Sequence, residues 1–373
     1  MKRVSKLAIT VVFLAFIAAF FALRLILPAR EFSERENRYL QQRPDFSFFS
    51  LFSGDYTSRF ESFTTDQFPF RDVWTTVKAR CELFSGKREN NGVYYCDNGV
   101  LISRYEAPDS GFLRENAGFV RALTDSVDVP VYFALIPGAA EIQNDLLPSN
   151  APNDSQRDVI EAAYAECGAV SVDMLSALAS HSQEYIFYRT DHHWTTLGAF
   201  YGYNALRAAL GLSPADISSY DRETVSESFY GTAYSSSGFS WISPDSIETF
   251  VPDDGSVSVS NYNTGLPEAS PLYDRSALEK KDKYTYFLGG NSPRISIETG
   301  NADKPSICII RDSYSDCFVP FLLEDFSRID LLDLRYFKDS VSAYISDGGF
   351  DMVLVMYSVP NFSTDNNLFM LGT

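Results

Sequence analysis

The chain contains three histidines: His181, His192 and His193. Two of them share the run Thr190-Asp191-His192-His193-Trp194-Thr195. Any mechanism that needs an imidazole is therefore confined to very few positions. Asp191 and His193 stand two residues apart, and in an extended loop side chains at that spacing point to the same side. A carboxylate so placed orients the ring and stabilises its protonated form, while the other ring nitrogen acts as a base. An Asp and a His in one loop also read as a helix cap beside a surface residue, and spacing alone does not separate the two. Paired histidines also read as metal ligands. Adjacent residues of a strand face opposite ways, however, and the H-E-x-x-H pattern is absent, so neither a metal nor a cofactor is expected.

The candidate nucleophile is Ser313. It follows the apolar run Ile307-Cys308-Ile309-Ile310 and the polar pair Arg311-Asp312, and precedes a helix-like stretch containing Phe318, Leu322 and Leu323. A serine so placed sits at the carboxyl end of a parallel strand, where open α/β sheets bind ligands. N–H groups at the start of the following helix would stabilise an oxyanion. Serine needs a base to become nucleophilic, and only the Asp191–His193 loop offers one. The G-x-S-x-G elbow of α/β-hydrolases is absent, and Ser313 taken alone also reads as a helix N-cap.

Bringing these two stretches together requires a sheet. Residues 131–136 form a continuous apolar run that ends at Pro137-Gly138, which predicts a buried parallel strand. Similar runs recur at 307–310, 329–334 and 352–357. Residues 111–126 and 156–167 read as helices, the latter with Val159, Ile160, Ala163, Tyr164 and Cys167 on one face. Residues 185–188 predict a short strand, and Thr195 or Thr196 caps a helix to about Leu210. Asp97-Asn98-Gly99 between two short apolar runs predicts a hairpin. The alternation argues for an α/β fold with a mostly parallel sheet. Residues 213–300 change character and read as an irregular β-rich insertion.

At the N-terminus, Lys2, Arg3 and Lys6 precede an uncharged run over 7–23, followed by Arg24 and Leu25-Ile26-Leu27. The run is long enough to span a bilayer core. The basic flank predicts a cytoplasmic N-terminus with the rest of the chain outside; a cleaved signal peptide is the rival reading. The expected layout is a cytoplasmic tip and anchor over 1–28, a juxtamembrane stalk over 29–60 and a catalytic domain over 61–373. Phe46, Phe48, Phe49, Leu51, Phe52, Tyr56, Phe60 and Phe63 are expected to begin the core. A net charge of −18 repels phosphates, so nucleic acid is not an expected partner. The five cysteines form no C-x-x-C pair; Cys81 and Cys96 are spaced to close a short loop, and buried free thiols are the plainer reading.

On these residues the chain resembles the DHHW family, named for the run seen here as Asp191-His192-His193-Trp194. That family is similar to the alginate O-acetyltransferase group of SGNH-hydrolase-like proteins. The resemblance extends to Phe32-Ser33-Glu34-Arg35-Glu36-Asn37-Arg38, Gln67-Phe68-Pro69-Phe70-Arg71-Asp72, Phe229-Tyr230-Gly231-Thr232, Phe287-Leu288-Gly289-Gly290-Asn291, Asp312-Ser313-Tyr314-Ser315 and Leu334-Arg335-Tyr336-Phe337. It implies an SGNH-hydrolase-like sheet flanked by helices, with an N-terminal transmembrane helix. The acetyltransferase relatives carry an Asp-x-His-Trp run and a Ser-Tyr-Ser run. Mapped here, these make Asp191 the orienter, His193 the base and Ser313 the nucleophile, with His192 in the intervening position.

The resemblance also suggests Arg335 and Tyr357 as substrate contacts and Asn291 as an oxyanion donor. Two departures stand out: Arg311-Asp312 replaces the small residues that precede the serine in the relatives, and no G-x-N-D block supplies an oxyanion Asn. The implied activity is O-acetylation of a cell-surface or exported polysaccharide, with a multi-spanning membrane-bound O-acyltransferase as acetyl donor. The same triad acting on water would make an esterase. A noncatalytic glycan-binding or assembly protein is the reading from a different class, since 22 tyrosines and 30 phenylalanines offer stacking surfaces as well as core.

Overall fold

The computed structural model of the chain describes residues 2–253 and 255–372, with side chains from Leu7 onward. The basic side chains of Lys2, Arg3 and Lys6 lie outside the described residues. The chain divides into two compact units. The first holds the residues up to Asn90 together with Ser235–Ser240, and the second holds the remainder.

In the first unit, helix α1 (Lys2–Ile26) contains one stretch, Leu7–Ile26, long and apolar enough to cross a membrane, with a mean hydropathy of 2.6. Helices α2 (Phe48–Phe52), α3 (Asp55–Asp66) and α4 (Arg71–Phe84) follow. Ser47 caps α2 reciprocally with Ser50, a capping box built from two hydroxyls. Arg38 clamps the end of α3 with two hydrogen bonds to Asp66, at 2.9 and 2.6 Å. The aromatic residues expected to begin the core here mostly do not. Phe48, Phe49 and Phe52 are 71%, 85% and 87% exposed, and of the eight only Phe63 is buried. Helix α2 packs on α3, and most of these rings lie at the surface of that pair.

The second unit is built on an eight-stranded sheet. Its strands in chain order are β1 (Val131–Ile136), β2 (Val170–Ser171), β3 (Ser258–Asn261), β4 (Glu268–Ser270), β5 (Arg294–Glu298), β6 (Ser306–Arg311), β7 (Arg328–Leu332) and β8 (Met352–Ser358). Across the sheet they run β4-β3-β5-β7-β6-β8-β1-β2. From β7 to β2 all pairings are parallel, and from β4 to β7 all are antiparallel. The central strands are apolar on both faces because both faces are covered. Ile307 to Ile310 and Val353 to Met356 have no exposed surface.

Helices Ser110–Ser126, Gln156–Glu166, Thr196–Ala209 and Val341–Gly348 supply Val120, Ile160, Phe200 and Ile345 to the same core. Each starts at a side-chain cap: Asp109, Ser155, Thr195 and Ser340. The hairpin forms as expected, from Val93–Tyr95 and Leu101–Ser103, with Asn98 and Gly99 in the left-handed region.

Three local expectations change. Residues 185–188 are not a strand; Phe187 makes one isolated antiparallel bridge to Trp194, closing a tight lap of chain. After β6 comes no α-helix but two 3-10 turns, Ser313–Ser315 and Val319–Glu324, the second opening on Pro320, which lacks an N–H to continue a ladder. Within residues 213–300, Glu223–Phe229 pairs with Asp245–Thr249, while β3, β4 and β5 extend the main sheet. Among the described residues all five cysteines are free thiols, Cys81 exposed and the other four buried.

Candidate active site

Strand β6 delivers the chain to the sheet's carboxyl edge at Arg311. Asp312 caps the turn that follows, its Oδ1 accepting from the Tyr314 N–H at 3.0 Å. Its other oxygen accepts from the Ser358 N–H and hydroxyl, both at 2.8 Å, and from Asn361 Nδ2 at 2.7 Å. The turn carrying Ser313 is thus tied to the end of the neighbouring strand β8. Behind it, the fully buried Arg311 donates to Asp316 at 2.6 Å. Burial pushes the Asp316 carboxyl up to about 7, against the pull of that guanidinium. The residues that depart from the relatives' small pair are those that brace this turn.

The imidazole of His193 meets the serine: Nε2 lies 2.8 Å from Ser313 Oγ. On the ring's other side, Nδ1 lies 2.5 Å from Asp191 Oδ1. The loop is bent here, not extended. The same Asp191 oxygen accepts from the His193 backbone N–H at 3.0 Å, an Asx-type turn that sets the pair by local geometry. The Tyr284 ring stacks on His193 at 3.9 Å between centroids, and its hydroxyl donates to the Ser313 carbonyl at 3.2 Å. Trp194 is buried and its indole N–H donates to the Tyr314 carbonyl at 2.9 Å. In return, the Tyr314 hydroxyl donates to the His192 carbonyl. Two loops 120 residues apart are therefore stitched in both directions.

Asp191 is held from a third direction. Its Oδ2 accepts from the Thr232 N–H at 2.7 Å and the Thr232 hydroxyl at 3.0 Å. Gly231 makes this approach possible, since a Cβ there would stand 2.1 Å from Asp191 Oδ2. Thr190 is fixed by the buried Asp245, which accepts from its N–H at 2.8 Å and its hydroxyl at 2.5 Å. Burial alone would raise the Asp191 pKa. The two imidazoles and the donors from His193 and Thr232 outweigh it and hold the carboxyl well below the usual carboxylate range. A carboxylate that stays ionised is what a histidine base needs as its orienter.

His192 Nδ1 lies 2.6 Å from Thr232 Oγ1. Thr232 has one hydroxyl proton; given to Asp191, it leaves that oxygen to accept from the His192 ring. Burial and the neighbouring His193 pull the His192 pKa below the ordinary histidine value. The two histidine rings lie side by side, 3.8 Å apart, rather than on opposite faces. Ligand atoms of Asp191, His192 and His193 fall within 4.8 Å of one another. Both His193 nitrogens and both Asp191 oxygens are engaged in hydrogen bonds, so an ion would have to displace the bonds just described.

Arg335 and Tyr357 line an open cleft of about 250 Å³ with Asp312, Asn361, Asp365 and Asn367. Arg335 is oriented by Asp333 at 2.9 and 2.6 Å. The Tyr357 hydroxyl is buried with no hydrogen-bond partner among the described residues. Asn291 is exposed and its amide oxygen accepts from Arg335 at 3.0 Å, so the structure ties it to the cleft's arginine. Sequence reasoning gave no role to Thr232, Gly231, Asp245 or Tyr284. The run Phe229-Tyr230-Gly231-Thr232 was the available signal for the first two. Tyr284 opens a segment, 284–288, whose alternation reads as a strand and which instead begins in the 3-10 turn Lys283–Tyr286, and Asp245 sits in a segment with no pattern of its own.

The sequence model of a family described as DHHW protein matches residues 118–332, more than half of the chain. Among curated proteins, the "Probable alginate O-acetylase AlgJ" of Pseudomonas syringae pv. tomato is 24% identical over 172 residues, covering 43% of this chain and 44% of that protein. The chain thus matches less than half the length of that relative. Among solved structures, a DHHW family protein from Eubacterium siraeum is similar with a TM-score of 0.64 and 27% identity, over 76% of this chain and 95% of that one. Bacillus cereus PatB1, solved with a sulfonyl adduct, shares the fold with a TM-score of 0.62 and 21% identity, over 75% and 98% of the two chains.

Proposed function

The chain belongs to the DHHW protein family, and from that premise we propose that it is a membrane-anchored, extracytoplasmic O-acetyltransferase acting on a cell-surface or exported polysaccharide. The observation that carries the proposal is the unbroken line of hydrogen bonds from Asp191 through His193 to Ser313. Ser313 Oγ attacks the carbonyl of an activated acetyl donor while His193 Nε2 takes its proton. Collapse of the tetrahedral intermediate expels the leaving group, which takes the proton back, and Ser313 is left acetylated. A sugar hydroxyl then attacks the acetyl-serine, giving its proton to His193. The sugar ester leaves, and the serine oxygen recovers the proton. Asp191 stabilises the imidazolium in both halves and stays ionised throughout. His193 rather than His192 is the base, because it is the His193 Nε2 that lies 2.8 Å from Ser313 Oγ.

The cleft lined by Asp312, the residue before Ser313, suits a polyol acceptor. Asn361, Asn367 and Arg335 converge there as polar groups, with Tyr357 behind them. The names of the curated relatives support a polysaccharide acceptor. We assign the fold to the SGNH-hydrolase-like group, with residues 213–300 elaborated on it, and the layout to an anchor over 1–28, a stalk over 29–60 and a catalytic domain over 61–373. Helix α1 is read as crossing the membrane with its N-terminus in the cytoplasm. A multi-spanning membrane-bound O-acyltransferase is the proposed donor, held near by the shared bilayer. The test is mass spectrometry after exposure to an activated acetyl ester. The expected result is one acetyl group on Ser313; a full chain that stays unmodified there overturns the assignment.

A further inference from the structure

Helix α4 carries its apolar stripe on the outside. Phe70, just before it, and Val73, Trp74, Val77, Cys81 and Phe84 recur at intervals of three and four, and all are exposed. At 3.6 residues per turn these positions make one continuous face. Ala79, on the opposite side, is fully buried. An ordinary surface helix of a soluble domain has the reverse arrangement. Lys78 and Arg80 fall on the two edges of the stripe and are exposed. This is the pattern of a helix lying in a membrane interface, with aromatic and aliphatic residues toward the acyl chains and basic residues toward the headgroups.

We propose that this face of α4 lies in the outer leaflet of the bilayer that α1 crosses, so that its occupant is phospholipid. The proposal rests on reading α1 as the anchor and goes beyond it. It turns a single-helix tether into a foot with a defined seat. Continuity with α1 favours lipid over a protein partner. Trp74 packs against Phe16 and Phe20 of α1, with centroids 6.5 and 5.8 Å apart, and Phe68 stacks on Phe20 at 5.3 Å. Phe20 and Phe16 precede the outer end of α1 at Ile26 by about 9 and 15 Å at 1.5 Å per residue. Rings that touch them must lie below the headgroups once α1 spans the membrane.

Cys81 supplies a native probe, since it is the one exposed thiol among the described residues and sits in the stripe. The full chain is labelled at Cys81 with a polarity-sensitive fluorophore and reconstituted into phosphatidylethanolamine–phosphatidylglycerol vesicles with no other protein. The same label on a Phe13→Cys, Cys81→Ser variant reports on α1. The expected result at Cys81 is a blue-shifted emission, a several-fold loss of iodide quenching relative to detergent, and quenching by lipids carrying a nitroxide near the glycerol. Lipid quenching at both positions supports the proposal. Quenching at position 13 alone overturns it while leaving the anchor intact, and assigns the face to a protein. Quenching at neither position overturns the anchor and the proposal together. A Val77→Lys change should restore iodide access at Cys81 and leave the label at position 13 unaffected.

Discussion

Aromatic side chains do opposite work in the two units. In the second, Trp194, Tyr284 and Tyr314 are buried around His193, and each uses its polar end to hold a backbone carbonyl of the loops carrying Ser313 and His193. In the first, Phe48, Phe49 and Phe52 stand in the open with no polar end to use. The difference lies in what the ring can tie down. A tyrosine or tryptophan becomes a structural cross-link when its hydroxyl or N–H reaches a loop backbone. A phenylalanine has only area to offer, and without a facing layer it offers that area to whatever lies outside.

Four substitutions break or sharpen the contrast. Ser313→Ala should lower acyl transfer from an activated ester by about 10⁶-fold with the unfolding transition unchanged; activity near the parent level would mean the buried rings hold nothing catalytic. Asp191→Asn should cost about 10⁴-fold, because the carboxylate no longer fixes the ring and its tautomer. The same variant tests stability against pH. The depressed pKa of Asp191 makes its contribution present above the ordinary carboxylate range and lost as pH falls through the folded value, so the Asn protein should lack that part of the acid-side loss.

Trp194→Ala should destabilise the second unit by about 3–5 kcal/mol in denaturant titration, from the cavity and the lost hydrogen bond to Tyr314. Phe49→Ser should change stability by less than about 0.5 kcal/mol, the range for an exposed side chain away from special features. A large loss at position 49 would mean that the first unit packs its rings after all.

The residues of the proposed triad were legible because their types are scarce and their places marked. With three histidines in the chain, a base had few positions, and an apolar strand running into Ser313 suggested a seat for a nucleophile. The sheet was legible for a similar reason: runs such as Ile307 to Ile310 and Val353 to Met356 are short, apolar without alternation and rich in β-branched residues, as strands covered on both faces are. The bracing was not legible. Asp245 holds Thr190 from 55 residues away, and Thr232 holds Asp191 from 41. The run Phe229-Tyr230-Gly231-Thr232 marked its segment without naming its partner, and nothing in the local pattern around Asp245 reports one. The bend that joins Asp191 to His193 was hidden because spacing two serves an extended strand and an Asx turn alike. The misplaced core at Phe46 to Phe63 came from treating aromatic content as burial, when burial depends on a second layer that the sequence does not announce.

The separations within the hydrogen-bonded site have a kinetic consequence. Local helices such as Thr196–Ala209 can form early, but the carboxylate is clamped only after 229–232 arrives, and the imidazole finds its hydroxyl only across 120 residues of chain. Closing such long loops is the slow part of reaching a fold rich in distant contacts. During refolding from denaturant, helical signal should return first and the power to accept an acyl group should return last.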